Sequence, residues 1–243
     1  MSRAIGVIGG MGPAATVDFL AKLLAATPAE RDQDHLRVLV DSNPKIPDRN
    51  QALAGAGPSP APVLAEMARG LERSGAEALV MACNTAHAFA DDIRGAVRIP
   101  LISIVEESAD ELARSVGAGA TVGVLAADGC LAAGLYQRAL AERGLKFVAP
   151  AADDQARLMR LIYGVKAGDT GPAARAGMKA LAEALVAQGA DVILSACTEV
   201  PLLLKTADVD VPLLDSTDVL VRRTVAWARD ERANSRDVEE AAP

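Results

Sequence analysis

The sequence predicts an α/β protein with two pseudo-symmetric domains, each built on a mostly parallel four-stranded sheet flanked by helices. Short apolar runs alternate with longer segments of helical periodicity, and this alternation is typical of parallel sheets. The pattern occurs twice: GAEALVMAC at 75–83 matches GADVILSAC at 189–197 in residue type at nearly every position. Such self-similarity indicates duplicated supersecondary units. The 243 residues, half of them apolar, are enough for two cores.

Eight strands are predicted from short apolar runs, most of them rich in β-branched residues and bounded by glycine, proline or polar residues. They lie at 3–8, 36–41, 78–82, 99–103, 120–125, 146–148, 192–195 and 211–215. Helices are predicted where apolar residues recur at helical spacing. They lie at 14–26, 63–74, 104–115, 130–143, 153–165, 172–188 and 217–229, with a further helix beginning near 86. Pro13 fits the first turn of the first helix, and Ser216 is the predicted N-cap of the last.

The connections and the domain limits follow from the same reading. The stretch 42–50 contains two prolines and is predicted to be a loop, and the polar, acidic tail 233–243 is expected to fray. The first domain is predicted to comprise 1–104 plus 215–243, and the second 105–214. Functional residues of open α/β sheets collect at the carboxyl ends of the strands. We therefore expect the active site in the cleft between the two domains.

Composition and charge exclude several classes of protein. The formal net charge of -7 argues against a nucleic-acid-binding role, which needs a basic face. The uncharged apolar stretches are too short to span a bilayer, and the first residues lead directly into a strand rather than a signal peptide. Three cysteines without zinc spacing indicate neither a disulfide framework nor a metal site. A cytoplasmic enzyme or binding protein is expected, without nucleic-acid or membrane partners.

Two cysteines occupy equivalent positions in the two repeats. Cys83 and Cys197 each follow an apolar strand and precede residues that can begin a helix, whose N-terminus would favour a thiolate. A single catalytic cysteine usually works with a histidine base. Two equivalent thiols suit another task, in which one removes a proton from carbon and the other delivers a proton to the opposite face. Although free cysteines often serve only in packing, recurrence at both strand ends favours racemisation or epimerisation.

Such a reaction develops negative charge that the site must stabilise. Backbone N–H groups of the 9–12 loop and the hydroxyls of Thr85 and Thr198 could hold one carboxylate, and Arg49 or Lys166 could hold a second. No lysine lies in a clear pyridoxal-phosphate context. A reaction without a cofactor is therefore the simpler hypothesis.

The chain resembles the aspartate/glutamate racemase family, and within it the aspartate-racemase-like branch. The resemblance rests on GGMGP at 9–13, an NPxxPxR-type loop ending at Arg49, ACNTAH at 82–87 and ACTEV at 196–200, in this order and over nearly the whole chain. Glutamate racemases resemble the same frame but typically begin with a DSGxGG loop and end the second motif in CTH. The loop at 9–11 and the CTE at 197–199 depart from that pattern and follow the aspartate branch.

The resemblance implies a cofactor-independent racemase, often a homodimer, that acts on a small dicarboxylic amino acid, aspartate or glutamate. By analogy Cys83 and Cys197 are the two acid/base residues, each serving one enantiomer. The substrate-binding residues implied in the same way are Asn84 and Thr85 for the α-carboxylate, Thr198 as their counterpart, Met11 and Gln51 as pocket lining, and Arg49 with Lys166 for the side-chain carboxylate. No metal site and no cofactor are implied.

Several alternatives stay open at this point. A hydantoin racemase, a maleate isomerase or a malonate-decarboxylase-type enzyme would share the fold. The last two generally need one thiol, and a neutral hydantoin ring makes less use of Arg49 and Lys166. A non-catalytic carboxylate-binding protein on the same fold is a rival of another class. A dinucleotide site at 10–15 is disfavoured, because Asp41 lies 29 positions after Gly12 and the usual spacing is roughly 20.

Three further residues have two interpretations each. His87 either orients a group in the cleft or simply forms hydrogen bonds near the start of a helix. Glu199 either orients a catalytic group or caps a helix. Cys130 has no counterpart in the other repeat, and we expect it to serve in packing.

Overall fold

The computed structural model describes residues 2–229. The strands of this part are β1 (Ile5–Gly9), β2 (Val38–Ser42), β3 (Ala78–Met81), β4 (Leu101–Ile102), β5 (Thr121–Leu125), β6 (Lys146–Val148), β7 (Val192–Ser195) and β8 (Leu213–Asp215). They form two sheets of the same order, β2-β1-β3-β4 and β6-β5-β7-β8, and every strand pair is parallel. The predicted fold class and its internal repeat are confirmed.

The helices connect and cover these sheets. They are α1 (Pro13–Ala26), α2 (Arg49–Leu53), α3 (Ala61–Arg73), α4 (Ala90–Arg94), α5 (Ile104–Ser115), α6 (Asp128–Ala132), α7 (Leu135–Ala141), α8 (Ala152–Lys166), α9 (Pro172–Ala187) and α10 (Ser216–Arg229). Local chemistry fixes several starts: Pro13 and Pro172 stand in first turns, and the Ser103 hydroxyl accepts a hydrogen bond from the Glu106 N–H to cap α5.

One apolar core joins the two halves. Val7 and Val80 of the first sheet belong to the same buried cluster as Val124 and Leu194 of the second, together with the inward faces of α1, α5, α7 and α10. Helices α3 and α4 cover the other face of the first sheet, and α8 and α9 cover that of the second. The shared core fixes the carboxyl ends of β3 and β7 relative to each other, which is where the two cysteines lie.

Three predicted segments differ from the structure. The stretch 42–50 was expected to be a loop, but α2 begins at its last residues because the Asp48 carboxylate accepts the Gln51 N–H and caps the helix. The helix predicted at 130–143 is divided into α6 and α7, since Gly134 adopts a left-handed conformation with φ +64°. The helix expected from 86 begins as a 3-10 turn, Thr85–Phe89, before α4.

The predicted domain limits remain predictions. Strand β8 completes the second sheet, while α10, which follows it directly, packs against α1 and α5. The end of the first predicted domain, 230–243, lies outside the described residues, as does the tail predicted to fray. Within residues 2–229 no helix is long and apolar enough to cross a membrane.

Candidate active site

The two cysteines are placed alike at the carboxyl ends of equivalent strands. Cys83 lies two residues beyond the end of β3, and Cys197 lies two residues beyond the end of β7. Their exposed fractions are almost equal, 7% and 8%. Both line one small cavity, of about 20 Å³. The repeat detected in the sequence therefore brings its two thiols to one place in the structure.

The strand that leads to each cysteine packs against its neighbours through equivalent contacts. A Cβ at Gly6 of β1 would come within 3.1 Å of Leu71, Ala76 and Leu79. A Cβ at Gly123 of β5 would come equally close to the residues 114 positions further on, Leu185, Ala190 and Ile193. Each glycine thus lets a helix, a turn and the cysteine-bearing strand pack closely against the central strand. The two halves hold their cysteine strands by the same packing.

Most of the residues predicted for the site surround this cavity. Its lining comprises Met11, Arg49, Asn50, Cys83, Asn84, Thr85, Ala127, Ile162, Lys166, Cys197, Thr198 and Glu199. Eight of the nine predicted site residues are among them. The ninth, Gln51, is exposed on α2 and lines neither this cavity nor the neighbouring one described below. Its neighbour Asn50 occupies the cavity wall instead.

Cys197 lies against a buried carboxylate. Its Sγ donates a hydrogen bond of 3.0 Å to Glu199 Oε2, and Glu199 is only 4% exposed. Burial and the neighbouring Glu199 charge raise the pKa of the Cys197 thiol well above its ordinary value. The short 3-10 turn that follows, Val200–Leu202, replaces the helix N-terminus expected there and offers less of a macrodipole. In this arrangement Cys197 is protonated.

Lys166 forms the cationic side of the same cluster. Its Nζ lies 3.4 Å from Glu199 Oε1. Burial opposes the charged form of Lys166, but the negative charges around it, Glu199 first among them, outweigh burial and raise the pKa of the ammonium group. Lys166, the last residue of α8, is thus a cation on the wall of the cavity that both cysteines line.

A second cavity, of about 320 Å³, adjoins the first and shares Arg49, Lys166 and Glu199 with it. The N-terminal end of α1 and the 44–49 segment form its remaining walls. The Arg49 guanidinium donates to the backbone carbonyl of Pro47 at 3.1 Å, which fixes the side chain against its own loop. The two cavities together offer a place for a small anion with two cations between them.

His87 is not positioned as a base for either thiol. Its Nδ1–H donates to the backbone carbonyl of Cys83 at 2.9 Å, and its Nε2 accepts the Ile104 N–H at 3.3 Å. Both ring nitrogens are thus used by the backbone, and this assigns the neutral tautomer. Burial lowers the pKa of His87 to about 4. His87 ties the residue that carries the first thiol to the start of α5.

Asn84 belongs to a hydrogen-bond chain that joins the two halves. The Tyr136 hydroxyl donates to Asn84 Oδ1 at 2.6 Å, and Asn84 Nδ2 donates to the Ser216 hydroxyl at 3.2 Å. The Ser216 hydroxyl in turn donates to the Ser195 carbonyl at 2.7 Å. All four residues are buried. The amide of Asn84, predicted to hold a carboxylate, therefore also couples the end of β3 to the end of β7.

The other predicted donors are partly engaged. The Thr198 hydroxyl donates to Glu199 Oε2 at 3.3 Å, and the Gly10 N–H donates to the Thr16 hydroxyl at 2.8 Å. A bound carboxylate would take the place of Glu199 as acceptor of the Thr198 hydroxyl. The bond from Gly10 to Thr16 would remain, since it holds the shape of the loop. Thr85 is buried on the cavity wall.

Asn50 was missed by sequence reasoning although it bridges the halves. Its Oδ1 accepts the Gly129 N–H at the start of α6, at 2.9 Å. A Cβ at Gly129 would lie 2.8 Å from this oxygen and 3.0 Å from the Thr85 methyl group, so the close approach requires glycine. The proximity of Asn50 to Arg49 was the available signal. Cys130, next in the chain, is buried as expected, and burial raises its pKa to about 12.

A larger surface cavity of about 590 Å³ lies between α4, α5 and α7. It contains neither thiol and none of the predicted site residues. Its charged lining is largely paired, for example Arg94 with Glu106 at 2.8 Å and Arg143 with Asp110 at 2.6 Å. In the part of the chain that the structure describes, no group of three or more His, Cys, Asp or Glu side chains is arranged to hold a metal ion.

The fold and the site define a class: a two-domain α/β protein with two equivalent thiols beside a cationic cavity. The sequence model of the Asp/Glu/hydantoin racemase family matches residues 8–224, and the chain belongs to this family.

Its relatives agree over nearly the whole length. The broad specificity amino-acid racemase RacX of Bacillus subtilis (strain 168) is 27% identical, over 91% of this chain and 96% of its own. The structure of the Picrophilus torridus aspartate racemase superposes with a TM-score of 0.83 at 32% identity, covering 93% of this chain and 94% of that one. An aspartate racemase homologue from Pyrococcus horikoshii OT3 gives a TM-score of 0.74 at 26% identity, covering 95% and 100%. The family resemblance predicted from the motifs is confirmed.

Proposed function

We propose that this protein is an amino-acid racemase that interconverts the L and D forms of aspartate or glutamate by proton transfer between Cys83 and Cys197. The observation that carries the proposal is the pair of equivalent thiols on one cavity, with Arg49 and Lys166 on the same wall. Two thiols on either side of a substrate carbon provide one group for each face. A single-nucleophile reaction would need only one of them.

The proposed step balances within the enzyme and the substrate. The thiolate of one cysteine takes the α-proton, and the electron pair of the broken C–H bond stays on the substrate as a carbanion. The thiol of the other cysteine gives its proton to the opposite face, so the enzyme ends with the thiol and the thiolate exchanged. The reverse reaction uses the two groups in the opposite order. We propose that the step needs no cofactor, since the chain supplies both the base and the acid.

The proposed substrate has two carboxylates because two cations lie beside the thiols. Lys166 and Arg49 would hold the side-chain carboxylate, in the direction of the 320 Å³ cavity. Thr85, Thr198 and Asn84 would hold the α-carboxylate, with Met11 as lining. The similarity to an aspartate racemase supports this choice, and the similarity to a broad specificity racemase supports a substrate range wider than one amino acid. We also propose that the protein is cytoplasmic and forms a homodimer. Sedimentation analysis of the purified chain would test the homodimer.

An exchange experiment in deuterium oxide tests the proposal. L-Aspartate and L-glutamate are incubated with the enzyme, and chiral chromatography with mass detection follows both the D product and its deuterium content. We expect D product that carries one deuterium at the α-carbon. Cys83→Ser and Cys197→Ser should each reduce racemisation by about 10³-fold or more, as loss of an essential acid or base does. Cys130→Ser is the matched control and should stay active.

Three outcomes would overturn the proposal. Wild-type turnover in either single variant would remove the two-base assignment. Binding of aspartate with neither exchange nor racemisation would identify a carboxylate-binding protein, and turnover of a hydantoin in place of the free amino acids would identify the rival racemase.

A further inference from the structure

The two thiols differ in one neighbour despite their equivalent positions. Cys83 is followed by Asn84 and Thr85, whereas Cys197 is followed by Thr198 and Glu199. The second position after the cysteine is thus a threonine in one half and a glutamate in the other. A carboxylate is bonded to one thiol of the pair only, which breaks the symmetry of the repeat at the sulfur atoms.

The carboxylate is held by three contacts at once. Glu199 Oε2 accepts the Cys197 thiol at 3.0 Å and the Thr198 hydroxyl at 3.3 Å, while Oε1 faces Lys166 Nζ at 3.4 Å. The side chain is 4% exposed and has the loop at Gly12 directly beside it, since a Cβ there would be 3.6 Å from Oε1. The side chain therefore has little room to leave Cys197.

The charged groups around Glu199 come from several elements. Lys166 approaches from α8, Arg49 from α2, and Asp48 from the segment before α2, all on the wall of the 320 Å³ cavity. The second sulfur, Cys83, lies at the end of β3 on the small cavity. Lys166 is the only group bonded to Glu199 as a charge partner in residues 2–229. This ion pair occupies Oε1 and leaves the other oxygen, Oε2, on the Cys197 thiol.

We infer that Glu199 is a positioning residue that keeps Cys197 as the thiol of the resting enzyme, so that Cys197 is the proton donor and Cys83 the proton acceptor in the first half of the cycle. The inference rests on the racemase proposed above. A thiolate at Cys197 would face the Glu199 carboxylate at hydrogen-bonding distance, and repulsion between like charges opposes it. Two causes raise the pKa of Cys197: burial is the larger, and the charge of Glu199 is the next.

The assignment sets an order for the cycle. The enantiomer whose α-proton faces Cys83 reacts with the resting enzyme directly. The product form then has a thiol at Cys83 and a thiolate at Cys197 beside Glu199, which is the less stable arrangement. Transfer of a proton from Cys83 to Cys197 through water restores the resting form.

Alkylation of the wild-type enzyme is the first test. Iodoacetamide reacts with thiolates, and peptide mass spectrometry separates the rates at Cys83, Cys197 and Cys130 as a function of pH. Since the two site thiols have almost equal exposure, their rates report their ionisation. We expect Cys83 to react at lower pH than Cys197, with buried Cys130 as the unreactive internal control. Alkylation of Cys197 at the same or lower pH than Cys83 would overturn the inference.

Glu199→Gln is the second test, because it keeps the size and one acceptor but removes the charge. We expect the Cys197 alkylation profile to move to lower pH by about one unit or more, equivalent to about tenfold faster reaction at a fixed pH below the midpoint. The Cys83 profile should move less. The alkaline limb of kcat/KM should fall to lower pH in parallel. Glu183→Gln on the exposed face of α9 is the matched control and should move neither.

The outcomes separate this inference from the proposed function. Unchanged profiles in a folded Glu199→Gln variant, checked by circular dichroism, would remove Glu199 from this role while racemisation stood. The expected alkylation order in a chain without racemase activity would retain the effect of Glu199 on the thiol and remove the racemase. The wild-type comparison decides the matter even where the variant does not fold.

Discussion

Replacing His87 by glutamine is expected to make the folded state less sensitive to acid. In the native protein the ring donates to the Cys83 carbonyl and accepts the Ile104 N–H, so it must stay neutral. Burial lowers its pKa from the ordinary value of 6.5 to about 4. Between these two values the unfolded chain binds a proton that the folded chain does not. The stability that the neutral, hydrogen-bonded His87 contributes to the folded state is therefore complete above about pH 7 and is lost as the pH falls toward 4.

The size of the effect follows from the two pKa values. The pKa of His87 is 6.5 in the unfolded chain and about 4 in the folded one. Protonation of the unfolded chain at this residue therefore lowers the free energy of unfolding by about 2.5 kcal/mol as the pH falls from about 7.5 to about 4.5. This is a large share of the stability of an ordinary domain. Glutamine cannot titrate, so the variant lacks this loss. It should be about 2 kcal/mol less stable at neutral pH, because it leaves a buried backbone group poorly paired.

Urea unfolding at several pH values, followed by circular dichroism, measures the difference between wild type and variant. Carboxylates contribute equally to both proteins and cancel. Wild type should be about 2 kcal/mol more stable than the variant at neutral pH, and the loss of about 2.5 kcal/mol from wild type by about pH 4.5 should close this difference or slightly reverse it. His35→Gln, at the chain's other histidine, is the control and should follow wild type. A constant gap between wild type and the His87 variant would refute the neutral, backbone-bonded histidine.

Three further predictions address the site and its support. Arg49→Ala should raise KM for dicarboxylic amino acids more than for neutral ones, and equal losses in steady-state kinetics would remove it from side-chain recognition. Tyr136→Phe leaves buried Asn84 Oδ1 without its donor and should destabilise the fold by about 1–3 kcal/mol in urea titrations; no change would mean that this bond is not formed. Gly123→Ala overpacks the strand and should cost about 1–3 kcal/mol, whereas Gly117→Ala, with nothing within 4 Å, should leave the melting temperature unchanged; equal effects would contradict the packing argument.

Much of the fold was predictable because its strands are short apolar runs with clear limits. Strands β6 and β7 have the predicted bounds, and the others differ by one or two residues at one or both ends. The failures have local causes. The break between α6 and α7 depends on the positive φ of Gly134, which apolar periodicity does not encode. The start of α2 depends on a cap at Asp48 in a stretch where two prolines favoured a loop.

The site was predictable where it repeats and not where it depends on distant partners. Cys83 and Cys197 were found by comparing the chain with itself. The bond from Gly129 to Asn50 joins residues 79 positions apart, and the bond from Asn84 to Ser216 joins residues 132 positions apart. No local pattern predicts such pairs, since they exist only after two separate halves have packed together. The same holds for Lys166, whose ion pair with Glu199 crosses from a helix end to a strand end.

The cavity between the sulfur atoms, at about 20 Å³, has room for about one water molecule. The amino acid proposed as substrate is larger than this cavity, so its binding requires the cavity walls to separate. The hydrogen bond from Gly129 to Asn50 joins two of those walls. If the cavity walls then close over the bound substrate, bulk solvent is excluded from the two thiols. In the racemase proposed above, a carbanion formed there takes its deuteron from the thiol of the second cysteine, which has already exchanged to S–D in heavy water, and not directly from bulk solvent. The unreacted enantiomer recovered early from heavy water should therefore still carry its original hydrogen.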